Sequence, residues 1–179
     1  PGYSIGGHSV GETKEQMWAM TAFVNEQLPV TKPRYLMGVG SPEDLVNAVG
    51  LGVDMFDCVL PTRLGRNGAL FTDHGRVNIR NARYREDPGP IDPSCDCQLC
   101  GSFSMAYVHH LFRNSELLGY RLATAHNVRY LVRLCERMRA AITAGVFEEF
   151  AAEFLGRYSP VDERVRREQK ERYRTRASG

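Results

Sequence analysis

Three cysteines, Cys95, Cys97 and Cys100, fall within six consecutive positions. No other feature limits the fold as strongly. Three free thiols in one polar loop are too reactive to be idle, and thiolates at this spacing form part of a metal-ligand set. A tetrahedral ion needs a fourth donor. His126, 26 residues beyond Cys100, is favoured because it opens a segment that reads as a helix over 124–143. His109 and His110 are rival donors inside an earlier helical segment. Three cysteines and one histidine make a closed structural zinc set, with no position left for water, so such an ion would hold structure and do no chemistry. Cys58 and Cys135 sit in apolar patterns, and the odd total of five cysteines is a poor disulfide framework. The pattern fits a metal cluster in a reducing, cytoplasmic compartment.

Upstream of the cysteines the chain reads as alternating strand and helix. Residues 11–28 predict a helix, with Met17, Met20, Val24 and Leu28 at three- and four-residue spacing toward a core. Residues 34–39 predict a short buried strand. Ser41-Pro42-Glu43-Asp44 is a strong helix start, with a hydroxyl cap, a proline in the first turn and acids near the positive helix end. Residues 53–60 predict the next strand, closed by Pro61. Strand, helix, strand at this spacing is a βαβ unit with parallel pairing. Residues 69–72 and 76–79 flank Asp73-His74-Gly75 as a small hairpin, and Pro88 to Pro93 is a loop leading to the cysteines. Helices are predicted over about 104–119, 124–143 and 147–158, the last with Phe147, Phe150, Phe154 and Tyr158 as a core stripe.

Asp57 lies near the carboxyl end of the predicted 53–60 strand. Alternation would put it on one face with Val53 and Met55, with Asp54 opposite. That end of a parallel strand is where α/β active sites lie. A carboxylate there can act as a nucleophile at a sugar carbon. Its structural alternatives are a turn cap or an ion pair with Arg63 or Arg66. Gly6-Gly7, Gly38 and Gly40 leave bare backbone that permits close approach of a flat ligand, although tight turns use glycine equally well. A phosphate loop at Gly38 of a sugar-phosphate enzyme is a rival reading. The formal net charge is only +2, yet six arginines and one acid lie between Arg63 and Arg85, and seven basic and four acidic residues follow Pro160. The first cluster is the footprint of a polyanion partner. No apolar run approaches the roughly 18 residues of a membrane span.

Three segments together carry a family resemblance: YLMGVGSPEDLV over 35–46, DMFDCVLPTRLGRNG over 54–68, and the cysteine cluster with His126. SIGGHSVGE over 4–12 and NIRNARY over 78–84 agree. The chain resembles the queuine tRNA-ribosyltransferase (tRNA-guanine transglycosylase) family over about residues 1–158, and Arg63-Leu64-Gly65-Arg66 is similar to its bacterial branch. The resemblance implies an α/β fold, the C-terminal part of a (β/α)8 TIM barrel with an inserted zinc-binding subdomain. It implies exchange of the wobble guanine in tRNA anticodons for a 7-deazaguanine base, with Asp57 as the nucleophile at ribose C1′. Gly7, His8, Met37 and Gly38 match the base pocket, although His8 and Ser9 stand where the family has apolar residues. Gly38, Val39, Gly40, Ser41, Pro42, Glu43 and Asp44 match an RNA-binding stretch. Thr62, Arg63, Leu64, Gly65 and Arg66 match the segment that reads the wobble base. Cys95, Cys97, Cys100 and His126 match the ligands of one Zn2+. A homodimer is implied for the full-length protein.

The expected division is barrel strands and helices over 1–61, an RNA-contacting and zinc-binding subdomain over 62–123, closing helices over 124–158 and a basic, disordered tail over 159–179. Pro1 reads as a truncation, since the family's second acid/base aspartate and most of its base-reading residues lie upstream. These residues alone are therefore expected to show no exchange activity. The competing class is a non-catalytic, zinc-stabilised tRNA-binding accessory subunit, against which Asp57 argues.

Overall fold

The computed structural model describes residues 1–7 and 12–160, so His8, Ser9 and residues 161–179 of the basic tail lie outside the described residues, while Ser159, expected in the disordered tail, donates its N–H to His74 O at 3.2 Å. The chain is mixed α/β. Three short strands, β1 (Tyr3–Ile5), β2 (Arg34–Leu36) and β3 (Met55–Phe56), form a parallel sheet in that order. Ile5 pairs with Leu36, and Leu36 with Phe56, so the three strands end level with one another. Helix α1 (Lys14–Gln27) connects β1 to β2, and α2 (Pro42–Gly50) connects β2 to β3. Two successive βαβ units result, where residues 34–60 alone had predicted one.

The helix starts follow local chemistry. Thr13 caps α1 in a reciprocal capping box with Gln16, which moves its start from the expected 11 to 14. Ser41 caps α2 by accepting from Asp44 N–H, with Pro42 in the first turn. Asp44 is buried and paired with Lys14 of α1, which removes the cost of hiding its charge.

Three expectations need correction. The 53–60 strand is only Met55–Phe56, because residues from Leu60 form helix α3 (Leu60–Arg66). Pro61 sits in the first turn of that helix, where its fixed φ is compatible and no N–H is missed, so it starts a helix and does not close a strand. Val53 consequently precedes the strand and is buried, whereas Met55 and Asp57 are exposed, so the three do not share a face. On α1 the buried line runs through Met17, Thr21 and Asn25, and Met20 is 46% exposed. Thr21 Oγ1 donates to Met17 O at 2.8 Å and Asn25 Nδ2 donates to Leu51 O at 2.6 Å, which offsets part of the cost of burying them, while Asn25 Oδ1 is buried with no hydrogen-bond partner among the described residues. Val24 and Leu28 pack at the margin of this core as expected.

The second half is built on helices. The antiparallel hairpin β4 (Ala69–Thr72) and β5 (Gly75–Asn78) is followed by a 3-10 turn (Ala82–Tyr84), then α4 (Gln98–Ser102), α5 (Met105–Arg113), α6 (Leu117–Thr143) and α7 (Phe147–Arg157). The predicted 104–119 and 124–143 helices break at a different place. Ser115 takes φ 58, and α6 begins at Leu117. His126 therefore lies well inside α6.

Three apolar clusters hold these pieces. One lies under the sheet, from Ile5, Met17, Leu36, Val39, Ala48 and Val53. A second surrounds the cysteine loop, with Leu70, Ile79, Leu99, Val108 and Phe112 at its centre. The third packs Leu45 and Val46 of α2 against Leu134 and Met138 of α6 and Phe154 of α7. The Phe147, Phe150, Phe154 and Tyr158 stripe stacks within this third cluster as predicted. Asp73, in the hairpin turn, pairs with Arg137 of α6 at 3.2 Å and Arg157 of α7 at 3.8 Å, tying the hairpin to the last two helices. Among the described residues no helix is long and apolar enough to cross a membrane.

Candidate active site and metal centre

The cysteine loop is shaped by a buried aspartate. Asp92 Oδ1 accepts from the backbone N–H and hydroxyl of Ser94, both at 2.8 Å, and Cys95 N–H donates to Asp92 O at 3.1 Å. This Asx turn aims Cys95 inward. Cys97 caps α4 and Cys100 lies one turn along it. His126 of α6 is fully buried and closes the group from the opposite side. The four ligand atoms all lie within 4.8 Å of one another. His126 Nδ1 is 3.4 Å from Cys97 Sγ and 3.3 Å from Cys100 Sγ. The sulfur–nitrogen edge of a zinc tetrahedron is about 3.6 Å when built from the usual bond lengths, so one small ion fits with little movement.

The surroundings support the same ligand set. His126 Nε2 donates to Phe71 O at 2.7 Å, which fixes the tautomer and leaves the Nδ1 lone pair facing the thiols. Hydrogen bonds from Cys100 and then Cys95 hold the Cys97 thiol down to about 3, and the Cys100 contact also holds Cys95 down, while the contacts with Cys95 and then Cys97 push Cys100 up. The loop thus favours thiolates at Cys95 and Cys97 and resists a third at Cys100, a resistance that a cation would relieve. The rival donors are engaged elsewhere. His109 is buried with Nδ1 2.7 Å from Ile79 O, and His110 is exposed beside Asn114. Cys58 and Cys135 are half-buried, and burial pushes both thiols up.

The second group of candidate residues lies along the carboxyl edge of the parallel sheet. Gly6-Gly7 follow β1, Met37-Gly38 follow β2 and Asp57 follows β3. The strands end in register, so these loops stand side by side. Gly7 has φ 83 and Gly38 φ 75, backbone that an L side chain rarely adopts. Met37 is exposed, with its sulfur over Gly6. Gly40 plays a different part from that of a bare ligand cradle. A Cβ there would lie 2.3 Å from Cys58 Cβ, so its bareness lets the β2 loop close on the β3 loop.

Asp57 is exposed, and its carboxylate is held on one oxygen. Tyr35 Oη donates to Oδ1 at 2.7 Å and Gly38 N–H donates to the same atom at 3.0 Å. The Tyr35 bond first and the Gly38 bond second hold Asp57 below the ordinary carboxylate range. The same contact pushes the Tyr35 phenol up. These hydrogen bonds go to neither Arg63 nor Arg66. Beside Asp57 a cleft of about 300 Å³ runs between Val39, Phe56, Cys58 and the α6 residues Leu131, Val132 and Arg139.

The segments that the resemblance assigned to RNA are only partly accessible. In the first, Gly38 is exposed, Ser41 and Glu43 are half-buried, and Val39, Gly40, Pro42 and Asp44 are buried. The second is helix α3, where Arg63 and Arg66 are exposed, Thr62 and Leu64 half-buried, and Gly65 is buried against Thr124 of α6.

Two residues absent from the sequence reading join these groups. Tyr35 binds Asp57, and its signal was strand alternation, which puts it on the face of Met37. Asn127, fully buried next to His126, accepts from Phe71 N–H at 3.0 Å and donates to Pro61 O at 3.0 Å and Ala69 O at 2.9 Å. It thereby connects the metal centre to α3, and no pattern in sequence marks it.

The profile of the family described as Queuine tRNA-ribosyltransferase matches residues 1–160. A queuine tRNA-ribosyltransferase of Herpetosiphon aurantiacus is 57% identical over 166 residues, 93% of this chain and 42% of the relative. One from Dehalococcoides mccartyi is 53% identical over 173 residues, 97% of this chain and 44% of the relative. One from Methylibium petroleiphilum is 56% identical over 154 residues, 86% of this chain and 41% of the relative. The chain spans less than half the length of these relatives, and across that span it belongs to the queuine tRNA-ribosyltransferase family.

Proposed function

We propose that the complete protein carrying this chain is a tRNA-guanine transglycosylase that exchanges the wobble guanine of tRNA anticodons for a 7-deazaguanine base. The observation that carries this reading is the sheet edge, where Asp57, ionised and held by Tyr35 and Gly38, stands beside the Met37-Gly38 and Gly6-Gly7 loops. A carboxylate oxygen of Asp57 forms a bond to ribose C1′, and the C1′–N9 bond breaks with its electron pair passing to the departing guanine. The incoming base then forms its own bond to C1′ and releases the carboxylate. The proton that the incoming base loses balances the one that guanine gains, so exchange needs no net acid or base.

Gly7, His8, Met37 and Gly38 serve the base pocket in this reading. The exposed Arg63 and Arg66 of α3 suit phosphate and base-edge contacts with an unstacked anticodon loop, together with Thr62, Gly38, Ser41 and Glu43. Cys95, Cys97, Cys100 and His126 would hold one Zn2+, which fixes the cysteine loop to α6 and has no open position for chemistry. The three parallel strands are read as the last of a (β/α)8 barrel, with residues 62–123 inserted as the RNA-contacting and zinc-binding part and 124–158 closing it. A cytoplasmic homodimer is the assembly proposed for the complete protein.

Residues 1–179 alone are expected to show no exchange, because one carboxylate and a part of the pocket do not make the whole site. The test is guanine incorporation into tRNA by the complete protein. Asp57→Asn should abolish exchange and leave tRNA binding within about twofold, since an exposed residue is changed without loss of volume. Unchanged exchange in that variant would remove the assignment. Retained tRNA binding with no exchange even in the wild type would favour the accessory binding subunit.

A further inference from the structure

We infer that Tyr35 is a positioning residue for the attacking carboxylate: it ties down Oδ1 of Asp57 and leaves Oδ2 as the atom that meets the sugar, an inference that rests on the nucleophile reading above.

The geometry is specific. Tyr35 lies on β2 opposite Met55, two residues before Asp57. Its hydroxyl reaches the carboxylate across the strand ends, 2.7 Å from Oδ1. Gly38 N–H meets the same oxygen at 3.0 Å, and neither bond uses Oδ2. The Cβ–Cγ torsion of an aspartate is soft and roughly two-fold, so an exposed carboxylate presents either oxygen over a broad range. Two donors on one oxygen remove that freedom. They also draw negative charge toward Oδ1 and distinguish two otherwise equivalent atoms. Attack at C1′ needs one oxygen at near-contact distance along the line of the departing base, and such alignment is worth large rate factors. Gly38 alone supplies a backbone anchor. Tyr35 supplies the second bond, which fixes the plane of the carboxylate.

The hydroxyl has a second consequence. Its bond is the largest cause holding Asp57 below the ordinary carboxylate range, ahead of Gly38 N–H. Removing it raises the pKa of Asp57, so the acid limb of the rate profile must move to higher pH. Among the described residues, the other ionisable groups near this edge are Cys58, Arg63 of α3, Asp44 of α2, and Glu136 and Arg139 of α6, and all are unchanged by a substitution at Tyr35.

The experiment is rapid-quench mass spectrometry of the covalent protein–tRNA adduct formed by the complete, zinc-loaded protein across the acid range. Tyr35→Phe should keep zinc content and tRNA affinity, form adduct about tenfold more slowly at saturating tRNA, and shift the acid limb upward. Replacing Tyr35 with a ring-fluorinated tyrosine, a better donor of the same shape, should shift the limb downward. A Tyr35→Phe variant with the wild-type rate and limb overturns the inference, as does a loss confined to tRNA affinity. Adduct that persists in Asp57→Asn would instead remove the reading on which it rests, so the two failures are distinct.

Discussion

Asn127 joins three elements through one buried amide: the Pro61 carbonyl in α3, the Ala69 carbonyl and Phe71 N–H in β4, and its own helix α6. Its neighbour His126 takes the Phe71 carbonyl, so two consecutive side chains hold both backbone groups of one residue. Asn127→Ala leaves a buried N–H and two buried carbonyls without this partner. We expect a loss of about 3 kcal/mol in urea denaturation of the complete protein, given the cost of stranding buried polar groups. A change under about 0.5 kcal/mol, the ordinary range for surface substitutions, would show that the amide is dispensable. At this scale legibility in sequence followed chemistry. The cysteines and His126 announce themselves because clustered thiols have few other uses, whereas the cost of a charge beside a buried strand, which singled out Asp57, does not apply to a carboxylate that the fold leaves exposed. Tyr35 and Asn127 act through single hydrogen bonds across 22 and 56 to 66 residues of sequence, and nothing local encodes such partners.

Helix α3 shows how one element was misread and why the misreading matters. An apolar run ending in proline reads as a strand and its stop, yet Pro61 suits the first turn of a helix. Forming α3 puts Arg63 and Arg66 on one exposed helical face at i, i+3 spacing, with Gly65 buried. Two cations on one exposed face can meet successive backbone phosphates of a single strand. Changing both Arg63→Ala and Arg66→Ala should weaken tRNA binding and flatten the plot of log affinity against log salt by about 1.4, at about 0.7 per phosphate released. An unchanged slope would place RNA elsewhere. Other elements were legible in outline and wrong at their ends. Helix α2 and the hairpin follow their caps and turn residues closely, whereas the α5–α6 break at Ser115 depends on a positive φ that no serine advertises. On α1, Met20 fits the periodicity yet faces outward, and the buried line runs instead through Thr21 and Asn25, whose Oγ1 and Nδ2 donate to backbone carbonyls.

Across the molecule, a small parallel sheet carries the candidate nucleophile and a helical half carries the metal centre, with α6 contributing His126 to that centre and packing on α2 beside the sheet. The βαβ rhythm was readable because helices and strands differ in apolar period. The level ending of the three strands was not, since register is set by pairing between distant segments. That level ending is what brings Gly6, Met37 and Asp57 to one edge. The account stands or falls on whether Asp57 forms a bond to RNA. The direct measurement is to mix the complete protein with a tRNA bearing a wobble guanine, denature at once and weigh the products. An adduct of protein plus tRNA less guanine, absent in Asp57→Asn while zinc and tRNA binding persist, is the predicted result. An adduct that survives Asp57→Asn, or a wild-type protein that binds tRNA and exchanges its base with no adduct at any time, would contradict it.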